Sequence, residues 1–194
     1  MEEQKAIEYD GGIHTKHRHM RYHDFFTNRV LKDDRVIDIG CGIGAVAYDV
    51  AKVAAQVVGI DFNEDNIRTA RERYQHPNLE FRVGDDLQTL PEEKFSVVIL
   101  SNVLEHLPER PAFLRRVQTT FQPKRILIRV PLLERDWRVP LKKELGMDWR
   151  LDDTHEIEYT FESFASEMAE AGMKIEQLEV RWGEIWTVIS DKAI

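Results

Sequence analysis

A chain of 194 residues, 42% hydrophobic and 32% charged, is long enough for one domain with a substantial core. It has no run near the roughly 18 apolar residues of a membrane span, and its net charge of −8 argues against broad attraction to nucleic acid or an anionic membrane. The lone cysteine, Cys41, excludes an internal disulfide, and Met1 to Lys5 lacks the apolar core of a secretion signal, so a cytoplasmic protein is expected.

Residues 1–34 precede the first strand. Met20, Phe25, Phe26 and Val30 recur at near-helical spacing, which predicts a helical cap packed on the domain. His14, His17, His19 and His23 also fall here, and no spacing among them fixes a metal geometry. Read plainly, this charged stretch faces solvent. Read functionally, Lys16, Arg18 and Arg21 give the entrance of a site positive charge that suits an anionic substrate.

Arg35 to Ile39 is an apolar strand that ends in Gly40-Cys41-Gly42-Ile43-Gly44, after which Ala45 to Val53 reads as a helix. Strand, tight turn and helix form the first unit of a doubly wound α/β fold, with a ligand beyond the carboxyl end of the strand. Read as Gly40-x-Gly42-x-x-Ala45, the turn also fits the dinucleotide fingerprint, which keeps an NAD(P)-dependent oxidoreductase in play. Asp38 weighs against that reading. A carboxylate there repels a pyrophosphate but attracts an ammonium and a sulfonium.

The nonapeptide Val36-Ile37-Asp38-Ile39-Gly40-Cys41-Gly42-Ile43-Gly44 resembles, residue for residue, the first motif of class I S-adenosylmethionine-dependent methyltransferases. The resemblance implies a Rossmann-like, doubly wound α/β sheet of seven strands, mostly parallel with an antiparallel last strand, and helices on both faces. It also implies S-adenosyl-L-methionine as cofactor and S-adenosyl-L-homocysteine as product, with Asp38, Gly40, Cys41, Gly42 and Gly44 around the methionine end. Gln56 to Ile60 reads as a second buried strand ending at Asp61, 17 positions after Gly44, where an acid accepts the hydroxyls of a ribose. Phe62 would cover the adenine face, and Asn63 caps a helix striped by Ile67, Ala70 and Tyr74. Leu79 to Val83 alternates as a strand and leads into Gly84-Asp85-Asp86-Leu87, which resembles the family's adenine turn. There Asp85 would accept the exocyclic amine, and the backbone of Asp86 and Leu87 would read the ring edge. A plain acidic turn is the competing reading.

Phe95 to Leu100 is a continuous apolar run, as a central parallel strand should be. It ends at Ser101-Asn102-Val103-Leu104-Glu105-His106, similar to the segment after the fourth strand of many small-molecule methyltransferases. The resemblance places Ser101 and Asn102 at the methionine end and His106 towards the substrate. Phe113, Leu114, Val117 and Phe121 stripe the next helix, and Arg125 to Val130 is a fifth strand. Gln122-Pro123-Lys124 departs from the family's Pro-Gly-Gly in the turn between them. Residues 131–159 are long for a connection and read as a substrate-side insertion, with Arg135, Trp137, Arg138, Trp149 and Arg150 suited to covering a polar substrate. The insertion closes on Asp152-Asp153-Thr154-His155. Thr160 then caps a helix carrying Phe164, Met168 and Ala171 that stops at Gly172, and Met173 to Arg181 pairs with Ile185 to Ser190 as a hairpin.

The expected function is therefore in-line methyl transfer to oxygen or nitrogen of a small polar or anionic metabolite, in a single domain spanning residues 1–194. An oxygen acceptor must lose its proton, and His106 and His155 are the candidates for that work. A competing reading gathers Glu105, His106 and His155 around a divalent metal. Small-RNA terminal 2′-O-methyltransferases and ubiquinone-pathway O-methyltransferases do so with a Glu-x-x-Glu-His segment. Here Asn102 stands where the first acid would be, a weaker ligand for a hard cation, so the sequence alone assigns no metal. The acceptor and the oligomeric state are not legible in it.

Overall fold

The computed structural model describes residues 15–84, 90–150 and 152–190, with side chains from Arg18 onward. Five apolar runs become parallel strands: β1 (Arg35–Ile39), β2 (Gln56–Asp61), β3 (Leu79–Val83), β4 (Val97–Ser101) and β5 (Arg125–Pro131). Val36, Ile37, Val57, Val58, Val97 and Val98 are fully buried, because helices cover the sheet on both sides. Strands β6 (Lys174–Arg181) and β7 (Glu184–Ser190) form a hairpin, and β7 joins β5 antiparallel. The order is β3-β2-β1-β4-β5-β7-β6, so the expected seven-stranded sheet with one reversed strand is what the chain adopts.

Seven helices accompany the sheet among the described residues: α1 (Thr15–Met20), α2 (Tyr22–Thr27), α3 (Ala45–Ala51), α4 (Glu64–Arg73), α5 (Arg110–Phe121), α6 (Arg138–Glu144) and α7 (Phe161–Glu170). The near-helical spacing before β1 does not give one helix, because Arg21 adopts φ 49° and splits α1 from α2. The anchors still fall on one side: Tyr22, Phe25 and Phe26 are buried against α3, β1 and β4, in a cluster shared with Val36, Ala47 and Val97. Residues of opposite parity on the same strands, Ile37, Val98 and Ile126, pack instead with Phe113 and Leu114 of α5 and Phe164 of α7. Helix α7 starts as expected: Thr160 Oγ1 accepts from Ser163 N at 3.1 Å, and Ser163 Oγ accepts from Thr160 N at 2.9 Å.

Between β1 and β4 the strand order reverses direction, leaving a crevice beyond their carboxyl ends. The turns after β1, β2, β4 and β5 all rise at this edge. The segment after β5 is not a bare loop. It makes a short 3₁₀ turn at Leu133–Arg135, then α6, and its base is tied by the Leu133 N donation to Tyr159 O at 2.7 Å. No described helix is long and apolar enough to cross a membrane.

Candidate active site

The glycine turn is held from below by Asp61. Its carboxylate, at the end of β2, accepts from Gly42 N at 2.8 Å, Asn63 N at 2.9 Å and Asn66 Nδ2 at 3.2 Å. One acid thus fixes the turn after β1 to the start of α4. The two glycines that flank Ile43 differ in what they face. A Cβ on Gly44 (φ +84°) would lie 2.5 Å from the Phe81 ring, whereas a Cβ on Gly42 (φ +54°) would meet nothing within 4 Å. Gly44 is there for packing; Gly42 opens a bare backbone to the crevice. Cys41 is partly buried, with Sγ donating to Gly42 O at 3.7 Å and packed towards Gly59, which makes it a small filler. Gly40 also takes a positive φ, 68°, in this turn. Phe62, next to Asp61, is 73% exposed at the rim.

Asp38 is buried at the end of β1, in a polar layer that the sequence did not announce. Arg129, inside β5, donates to both carboxylate oxygens of Glu184, at 2.6 and 3.1 Å, and to Ser101 Oγ at 3.1 Å. Its guanidinium lies 3.9 Å from the ring centroid of Tyr22, and Trp186 Nε1 donates to Glu184 at 3.1 Å. Burial pushes the Tyr22 hydroxyl pKa up, opposed by Arg129, with Glu184 and Asp38 adding smaller upward contributions. Ser101 is therefore positioned by Arg129. Asn102 follows in the left-handed region at φ 58°, its N–H donates to Arg129 O at 2.8 Å, and its buried Oδ1 has no hydrogen-bond partner among the described residues.

Beyond Asn102, a 3₁₀ turn (Leu104–His106) meets the end of the insertion. Glu156 N donates to Glu105 O at 2.7 Å, which stitches the two segments together. One ligating atom each from Glu105, His106 and His155 then lies within 4.8 Å of the others. Both Glu105 carboxylate oxygens are buried without a hydrogen-bond partner among the described residues, and burial pushes its pKa up to about 8. The His106 and His155 rings meet edge to face at 4.7 Å.

Each imidazole is oriented by a partner. Thr154 Oγ1 gives its proton to Asp152 at 2.6 Å and sits 2.9 Å from His106 Nδ1, so towards His106 it acts as acceptor. His155 Nδ1 lies 2.8 Å from Glu158 Oε1, a carboxylate that accepts. Both rings accordingly carry a proton on Nδ1, which directs Nε2 away from these partners. Partial desolvation, and secondarily His155, hold the His106 pKa below the ordinary imidazole value, which favours the neutral form.

Other expected residues are placed differently. Asp85, Asp86, Leu87 and His14 lie outside the described residues, as do the side chains of Lys16 and His17. Arg21 pairs with Asp24 at 2.6 Å and His23 with Asp49 at 2.6 Å. Of the insertion's arginines, Arg138 is engaged by Asp136 at 2.5 Å, while Arg135 reaches Glu158 at 3.5 Å. Glu158, Arg129 and Thr154 escaped the sequence reading. The signals that could have found them are the His155-x-x-Glu158 spacing and a charge inside the apolar run of β5.

A family model described as a methyltransferase domain matches residues 31–177. A ubiquinone biosynthesis O-methyltransferase of Rhodopseudomonas palustris (strain BisB5) is 32% identical over 128 residues, covering 63% of this chain and 50% of that protein. The chain spans about half the length of such curated relatives. Among solved structures, a methyltransferase in complex with the Trm112 activator of Haloferax volcanii superposes with TM-score 0.72 at 15% identity, covering 97% of this chain and 95% of that one. Magnesium protoporphyrin IX methyltransferase of Synechocystis PCC 6803, with bound S-adenosylhomocysteine, superposes with TM-score 0.70 at 17% identity, covering 98% and 93%. These likenesses show a shared fold, and the family match covers residues 31–177, the glycine turn included. The chain belongs to the class I S-adenosylmethionine-dependent methyltransferases.

Proposed function

We propose that the protein methylates an oxygen of a small molecule beside a divalent cation held by Glu105, His106 and His155. The observation that carries this reading is a buried acid, Glu105, whose two bare oxygens lie close to two imidazoles. Ionising a lone buried acid is costly, and a cation is the partner that this donor set fits. When bound, such a cation would supply a positive charge that lowers the pKa of an acceptor hydroxyl. Asn102, with its bare Oδ1, precedes Glu105 by three positions, where a second acid would strengthen the set. The relatives' name supports oxygen as acceptor.

S-adenosylmethionine supplies an already activated methyl group. This chain's part is to orient it, with Asp38 near the amino group, Asp61 at the ribose, and Gly42, Ser101 and Asn102 lining the methionine end. Phe62 is assigned to the adenine face. The open space before Gly42 and the bare Asn102 Oδ1 support this placement. The test is methyl transfer from labelled cofactor to a panel of phenols, enols and anionic hydroxy acids, with and without chelator. His106→Ala and His155→Ala should each lose about a hundredfold or more in turnover while retaining cofactor affinity. Full activity after chelation with loss in both variants would instead make the histidines bases, and transfer only to RNA ends would move the acceptor class.

A further inference from the structure

Glu158 is a fully buried acid that the proposed reaction does not use, and its surroundings give it a defined task. It follows His155 by three positions and ends the insertion just before β-bridged Tyr159. Its Oε1 lies 2.8 Å from His155 Nδ1, and its Oε2 lies 3.5 Å from Arg135 Nη2. A carboxylate at that distance accepts the Nδ1 proton, so the ring is locked in the tautomer whose Nε2 lone pair remains. Arg135 is itself held in place. A Cβ on Gly183, at the tip of the β6–β7 hairpin, would lie 2.5 Å from Arg135 Cβ and 2.9 Å from its Cα, and Leu132 N donates to Gly183 O at 2.9 Å. The glycine lets the hairpin tip seat on the arginine's backbone. Hairpin, arginine, glutamate and histidine form one contiguous support.

We infer that Glu158 is the positioning residue that fixes the tautomer and orientation of His155, with Arg135 and the Trp182-Gly183 turn bracing it. This rests on the proposed cation reading for its consequence, and on the geometry alone for the tautomer. An acid donating no proton of its own but accepting from a ligand histidine raises that histidine's basicity and holds its ring, and losing it typically lowers metal affinity ten- to hundredfold.

The experiment compares wild type, Glu158→Gln, Glu158→Leu and Arg135→Ala by long-range nitrogen–proton NMR of histidine-labelled protein and by Mn²⁺ titration. S-adenosylhomocysteine affinity and thermal midpoint report folding. Wild-type His155 should carry its proton on Nδ1. Glu158→Leu should move it to Nε2 and weaken Mn²⁺ binding at least tenfold. Glu158→Gln, which keeps a neutral acceptor of the same size, should show a smaller loss, and Arg135→Ala a smaller one still. An unchanged Nδ1 tautomer in folded Glu158→Leu overturns the inference; should that variant not fold, an unchanged tautomer and Mn²⁺ affinity in Glu158→Gln does so. Glu158-dependent tautomers without Mn²⁺ binding in wild type would sink the cation reading and leave the role of Glu158 standing.

Discussion

At the scale of single residues, the turn after β1 holds one glycine that faces open space, Gly42, and one that is packed, Gly44. Gly44→Ala places a methyl group against Phe81 at a positive φ, so the protein should lose about 2 to 4 kcal/mol, read as a lower urea midpoint. Gly42→Ala faces open space and carries mainly the φ cost of about 1 kcal/mol, yet it should weaken S-adenosylhomocysteine binding more than Gly44→Ala does. Equal losses of affinity in titration calorimetry would show that Gly42 does not face the cofactor. Asp61 belongs to both classes. It accepts from three local donors, so Asp61→Ala should cost about 1 to 3 kcal/mol of stability as well as cofactor affinity. The sequence marked Asp61 by its place at a strand end. It could not show that the turn itself hangs on that carboxylate, because the turn's donor, Gly42 N, is a backbone amide with no residue signature.

At the scale of elements, the short helix α2 is secured by Phe25 and Phe26 in the core and by His23 on Asp49 of α3. Hydrogen bonding from His23 first, and from Lys52 next, lowers the Asp49 pKa from 3.8 to about 2, against the opposing effect of burial. A folded-state pKa below the unfolded one gives stability that is present above about pH 3.8 and lost as pH falls through about 2. Asp49→Asn should therefore flatten the acid limb between pH 4 and 2 in denaturant titrations; an unchanged limb would remove the pair from the acid response. Periodicity predicted a helix here. It missed the break at Arg21, since a left-handed arginine leaves no compositional trace. By contrast, the Thr160 cap, the α7 stripe and the Gly172 stop were all readable, because capping depends on residue type at fixed offsets.

At the scale of the whole molecule, the sheet was legible because buried parallel strands must be continuously apolar and end at glycine or acid turns. The acceptor side was legible only in pieces. His106 and His155 are far apart in sequence, and the stitch between Glu105 and Glu156, with the contact of Thr154 to His106, accompanies the approach of their rings to 4.7 Å. The spacing offered no reason to prefer a cation over a base; the bare oxygens of Glu105 do. The account places the cofactor over the carboxyl ends of β1, β2 and β4, and a cation between it and the insertion. The most direct measurement is anomalous diffraction at the manganese edge from crystals grown with S-adenosylhomocysteine and Mn²⁺. One peak should lie within bonding distance of Glu105, His106 and His155 beside the bound nucleoside. Density for S-adenosylhomocysteine with no peak at those three residues would contradict it.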